Sequence, residues 1–105
     1  MVAGTDFIIQ LLRQYLCALE REHIPVLKAY LFGSYAQGTP KEESDIDVAI
    51  ISTAFVGDRY EDRRRIVPLR RKIDGRIEPI PFRPEDFERG GILADTIKTT
   101  GVVIQ

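Results

Sequence analysis

The strongest constraint on this chain is the stretch from Ala29 to Ile51, where one apolar run closes on Gly33-Ser34 and a second opens on Asp45-Ile46-Asp47. Residues 26–32 read as a strand. A glycine after such a strand lets the backbone approach a ligand closely, and the N–H groups that follow, with the Ser34 hydroxyl, suit an anion. Residues 34–37 then read as a short helix stopped by Gly38, Thr39 and Pro40. Asp45 and Asp47 stand at the head of a second strand, 46–52. Side chains two apart on a strand share a face, with Cα atoms roughly 6.6 Å apart, so the two carboxylates project together. Like charges so placed repel, and one pKa rises. A divalent cation removes that conflict, and hard carboxylate oxygens suit Mg²⁺. A phosphate cradle beside a Mg²⁺-binding carboxylate pair is the equipment of phosphoryl or nucleotidyl transfer.

The other elements follow from periodicity and punctuation. Ile8, Leu11, Leu12, Tyr15, Leu16 and Leu19 mark one face of a helix that Thr5 is placed to cap and Pro25 to end. Cys17 reads as a small buried filler in it. His23, the only histidine, reads as a residue of the helix C-terminus rather than a general base. Lys41-Glu42-Glu43 reads as a solvated loop. The apolar run after Asp47 marks a central strand covered on both faces. Asp58 and Glu61 open a further helix in capping-box fashion, with Ile66, Leu69 and Ile73 as its buried face. Pro68 either kinks this helix or restarts a new one in its first turn. Arg63, Arg64, Arg70 and Arg71 recur at heptad spacing as a basic stripe: a solvated face in the simpler reading, a contact for phosphates or an acidic partner in the functional one.

Residues 76–82 form a third strand. Pro79 and Pro81 cannot donate to a ladder, which places it at a sheet edge or a bulge. Pro84, Glu85 and Asp86 open a short helix, Gly90-Gly91 is a joint, and Ile92, Leu93, Thr96 and Ile97 give the face of a last helix before a short strand at 102–104. The expected fold is α/β or α+β, a small mixed sheet with helices packed on it, residues 1–105 forming one domain.

Composition narrows the function classes. The formal net charge is −1, so no global field draws the chain to nucleic acid or to an anionic membrane. The single cysteine forms no internal disulfide, and no leader or membrane-length apolar run stands in the sequence. A reducing cytoplasm, with ATP and Mg²⁺ at hand, is the expected setting.

The pattern Gly33-Ser34-x-Ala36-x-Gly38 followed by Ser44-Asp45-x-Asp47 resembles the signature of the DNA polymerase β nucleotidyltransferase superfamily, and the short chain resembles its minimal nucleotidyltransferase branch. The resemblance implies a polymerase β-like fold and transfer of a nucleoside monophosphate from an NTP, ATP by default, with pyrophosphate leaving. Gly33 and Ser34 would hold the β and γ phosphates, and Asp45 and Asp47 would bridge two Mg²⁺ ions. Glu78, on the strand beside them, would be the third carboxylate, ligating the metal near the acceptor and helping to deprotonate its hydroxyl; the plainer reading of Glu78 is a surface carboxylate paired with arginine. Asp is commoner in the family at that position, and the extra methylene moves the carboxylate by roughly 1.5 Å. Minimal members are often encoded beside a HEPN-domain partner in toxin–antitoxin pairs, with AMP placed on a partner tyrosine. Two other classes stay open: an antitoxin acting by contact alone, and a small-molecule nucleotidyltransferase completed by homodimerisation.

Overall fold

The computed structural model of the chain describes residues 3–38 and 45–105. Thr39, Pro40, Lys41, Glu42, Glu43 and Ser44, to which a turn, a solvated loop and part of the signature were assigned, lie outside the described residues. Helix α1 (Ala3–Arg21) carries the expected stripe into the core: Ile8, Leu11, Leu12, Tyr15, Leu16 and Leu19 are all buried. It begins at Ala3, two residues ahead of Thr5. Cys17 is exposed, contrary to the buried reading. One residue on from Leu16, it is turned about 100° around the helix and leaves the buried stripe. His23 follows the helix end with φ 66°, its N–H donating to the Glu20 carbonyl.

Four strands make one mixed sheet in the order β3-β2-β1-β4: β1 (Lys28–Phe32), β2 (Ile46–Ile51), β3 (Ile77–Phe82) and β4 (Val102–Val103). Strand β1 runs antiparallel to both β2 and β4, and β2 runs parallel to β3. Strand alternation sorts the side chains into two layers. Ala29, Leu31, Ile46, Val48, Ile50 and Ile77 pack with α1. Ala49, Ile51 and Phe82 pack with α4 (Pro84–Arg89) and α5 (Ile92–Thr100). Every β2 residue but Asp47 is buried, as a central doubly covered strand requires.

Helix α3 (Arg59–Ile66) is capped by Asp58, whose side chain accepts from the Glu61 N–H at 3.1 Å. The chain then re-enters as a 3₁₀ helix, Val67–Lys72, with Pro68 in its first turn. This is the restart rather than the kink, because the proline has no N–H to continue the α-helical ladder. The Tyr15 hydroxyl donates to the Ile66 carbonyl at 2.6 Å, pinning α1 to this junction. Strand β3 lies at the sheet edge, as its prolines demand. Helix α5 differs from expectation in its buried face: Ala94 and Ile97 meet the sheet, while Ile92 is 91% exposed. The surface under α5 is already filled by Tyr30 and Phe87, whose ring centroids lie 5.3 Å apart, and the small Ala94 fits against it.

Candidate active site

The C-terminal end of β1, helix α2 (Ser34–Gln37) and the N-terminal ends of β2 and β3 meet at one end of the sheet. Asp47 stands opposite Phe32 on one side and Glu78 on the other. Gly33 therefore sits one residue beyond the partner of Asp47. Its backbone takes φ 77° and ψ −152°, a region that glycine alone adopts freely. A Cβ built there would collide with the Asp47 carboxylate. The glycine is needed because the backbone lies directly against a carboxylate, and only then because it approaches a ligand. The Gln37 N–H closes on the Gly33 carbonyl at 3.1 Å, so the N–H groups at the head of α2 have no intrahelical acceptor.

Asp45 is exposed and Asp47 half-buried, on the same face of the sheet as Glu78. Burial pushes the Asp47 carboxyl above its ordinary range, and the charges of Asp45 and Glu78 push it further. A cation bound between these carboxylates would relieve that repulsion.

Glu78 is not turned freely toward that pair. Its Oε2 accepts from Arg63 Nη2 at 2.8 Å and its Oε1 from Arg70 Nη1 at 3.2 Å. The same arginines cap the outer edge of β3, Arg63 on the Pro79 carbonyl at 2.8 Å and Arg70 on the Ile77 carbonyl at 2.7 Å. The basic stripe is thus two pairs: Arg63 and Arg70 turn inward, while Arg64 pairs with Glu61 over the Tyr60 ring and Arg71 is exposed. Among the described residues no three acidic, histidine or cysteine side chains converge as a metal site. Asp45 and Asp47 fit a hard divalent cation in donor chemistry and in their unrelieved repulsion. Glu78 fits as a third ligand only after releasing an arginine.

One bracket at the site had no signal in sequence periodicity. Asp74 and Arg76 hold each other through paired contacts, the shortest at 2.8 Å, and Arg76 Nη1 donates to the Tyr35 hydroxyl at 3.1 Å. This ties α2 to the turn before β3. The guanidinium of Arg76 holds the Asp74 carboxyl below its usual range.

The model of the nucleotidyltransferase domain matches residues 9–92, most of the chain. The chain belongs to the nucleotidyltransferase domain family. Within that family it is a minimal nucleotidyltransferase of polymerase β-like type, and its mixed sheet agrees with the family's solved folds. The structure of a protein from Sulfolobus solfataricus assigned as a nucleotidyltransferase superposes with a TM-score of 0.70 over 97% of this chain and 83% of that one, at 15% identity. A toxin–antitoxin crystal structure with AMP-PNP superposes with a TM-score of 0.63 at 26% identity, covering 88% of this chain and 71% of that one. A mutant MntA–HpeT toxin–antitoxin structure, with two aspartates two positions apart changed to glutamate, gives 0.56 at 24% identity, over 96% and 72%. In sequence the chain is 48% identical over 44 residues to the protein adenylyltransferase MntA of Shewanella oneidensis. That match spans 41% of this chain and about a third, 32%, of the relative's length.

Proposed function

We propose that residues 1–105 act as one Mg²⁺-dependent nucleotidyltransferase domain that moves AMP from ATP to a hydroxyl on a HEPN-type partner protein, as the antitoxin of a toxin–antitoxin pair in the cytoplasm. The observation that carries this reading is the Gly33 backbone laid against the Asp47 carboxylate, which puts a phosphate loop and an acidic pair within one side chain of each other. The relatives that carry a nucleotide analogue and toxin–antitoxin assemblies support the choice of substrate and partner. Among the described residues no helix is long and apolar enough to cross a membrane.

In this reading the N–H groups after Gly33 and the Ser34 hydroxyl take the β and γ phosphates. Asp45 and Asp47 hold the metal. The chemistry supplied by bound Mg²⁺, two ions in the family resemblance, is neutralisation of the triphosphate and of the attacking and leaving oxygens. The acceptor oxygen forms a bond to the α phosphorus, the bond to the bridging β oxygen breaks, and pyrophosphate leaves. Glu78, once one arginine is released, accepts the acceptor's proton.

A second reading is favoured by the Arg63–Glu78–Arg70 contacts. With Glu78 held in that brace the chain binds Mg·ATP without transferring it and neutralises its partner by contact. Transfer of label from α-labelled ATP to a co-encoded partner separates the two. The enzyme reading expects transfer, lost together with Mg²⁺-dependent ATP binding in Asp45→Asn/Asp47→Asn. In Glu78→Gln it expects ATP binding to persist and transfer to fall by about 10²–10⁴. Full transfer by Glu78→Gln removes Glu78 from the mechanism. Mg²⁺-dependent ATP binding without transfer by the unaltered chain selects the contact reading.

A further inference from the structure

Charge is distributed unevenly along this chain. Eight of its fifteen cations fall between Arg59 and Arg76, against three carboxylates there, in a chain whose net charge is −1. Those residues are α3, the 3₁₀ helix and the turn that follows. The inner cations are used at home, Arg63 and Arg70 on Glu78 and Arg76 on Asp74. Arg65 donates to the Ala54 carbonyl and Arg59 lies over the Phe82 ring, which leaves Arg64, Arg71 and Lys72 as the more open cations. Arg71 and Lys72 are exposed and carry no ion pair among the described residues, and Arg64 is 62% exposed beyond its contact with Glu61.

Apolar surface is interleaved with this charge. Tyr60 is 70% exposed and lies under Arg64, whose guanidinium carbon is 5.9 Å from the ring centroid. Exposed Pro68 lines three adjoining shallow clefts, one with Tyr60 and Arg64, one with Arg71 and Gly75, and one with Leu69 and Lys72. The Tyr60 ring and the proline ridge lose little side-chain freedom on burial, and Tyr and Arg are among the residue types that dominate interface energetics.

We infer that the outer face of α3 and the 3₁₀ helix is a docking surface for an acidic segment of a partner protein. Charge complementarity names the occupant: carboxylates to meet Arg64, Arg71 and Lys72, with apolar side chains between them to cover Tyr60 and Pro68. A nucleic acid fits less well. The exposed cations share this face with Glu61, and the surface between them is apolar, where a polyphosphate asks for an unbroken row of cations. The inner rim of this face is the Arg63–Glu78–Arg70 brace, so a segment docked here lies beside the carboxylates. This deepens the proposed function, on which its catalytic meaning rests, by naming where the acceptor protein is held. The docking itself does not depend on catalysis.

The test is amide-shift mapping of the labelled chain titrated with a synthetic peptide of alternating glutamate and leucine. A peptide with lysine for glutamate, and a single-stranded oligodeoxynucleotide, are titrated in parallel. The expected result is shifts centred on Tyr60, Arg64, Pro68-adjacent residues and Arg71 with the acidic peptide, and none with the lysine peptide. Arg64→Glu/Arg71→Glu should weaken binding by about tenfold or more, with Mg·ATP binding unchanged. Tighter binding of the oligonucleotide, shifts centred elsewhere, no binding of the acidic peptide, or an unaffected double variant each overturn the inference. Peptide binding without any Mg·ATP binding leaves the docking surface standing and removes the transferase reading alone.

Discussion

Asp47 is where stability and function conflict within one residue. Its folded carboxyl titrates above the ordinary value because burial, then Asp45 and Glu78, oppose its charge. A carboxyl whose folded pKa exceeds its unfolded one stabilises the fold only at low pH, below the unfolded value, and that contribution is lost as pH rises through the folded value. At neutral pH the ionised group is therefore a liability in the metal-free protein. Asp47→Asn should raise the metal-free melting temperature at pH 7 and, on the proposed metal role of Asp47, remove the rise expected when Mg²⁺ is added to the unaltered chain. A lower melting temperature for the variant, by calorimetry without metal, would show that the carboxylate is satisfied by contacts within the fold. The pairing of Asp45 with Asp47 was legible in sequence because a period of two is enough to place both on one face. The opposition of Asp47 to Glu78 rested on the family resemblance, and the parallel register supplies it in geometry. Pairing of Glu78 with arginine was one of its two sequence readings; which arginines was not legible, since Arg63, Arg70 and Glu78 come together only when α3 and the 3₁₀ helix fold along the β3 edge.

At the scale of elements, the β3 edge shows how a strand with two prolines is stable. Arg76 and Phe82 carbonyls accept from Ile46 and Ser52 N–H groups, so even-numbered residues bond toward β2 and odd-numbered ones point outward. Of the outward groups, the Ile77 N–H donates to the Asp74 carbonyl, and the Ile77 and Pro79 carbonyls accept from Arg70 and Arg63. At 79 and 81 proline leaves no outward donor to satisfy. Pro79 is fully buried, so valine there would improve strand propensity while adding an N–H that faces two guanidinium donors and no acceptor. Pro79→Val should therefore destabilise the protein by about 1–3 kcal/mol in urea unfolding. Equal or greater stability would mean the edge admits an acceptor. The prolines announced the edge position in sequence, as Pro68 announced a break. Less legible was the buried face of α5, where Ile92 and Leu93 looked like core on hydrophobicity alone. With Ala94 and Ile97 on the sheet, Ile92 lies about 200° around the helix from Ala94 and faces solvent.

Across the whole molecule the two layers on the sheet are unequal. Among the described residues, seventeen buried side chains pack on the α1 side and six on the α4–α5 side. The α1 side is also tied by the buried Tyr15 hydroxyl, which donates to the Ile66 carbonyl. The thinner layer enters α5 through Gly90 and Gly91, at φ 90° and 122°, and it shares its face of the sheet with Asp47 and Glu78. Local opening free energy follows buried apolar contact, so the layers should open separately. Native-state hydrogen exchange in increasing urea should find α4 and α5 amides opening at lower denaturant than those of α1, β1 and β2. Mg·ATP should slow exchange at the head of α2 and at the start of β2 while leaving the α4–α5 hierarchy in place. The carboxylates would then be borne by the most stable strand and flanked by the least stable layer, an arrangement that lets a partner reshape the neighbourhood of the site without disturbing its ligands. A single opening free energy for all five elements would join the two layers into one cooperative unit and leave no such freedom.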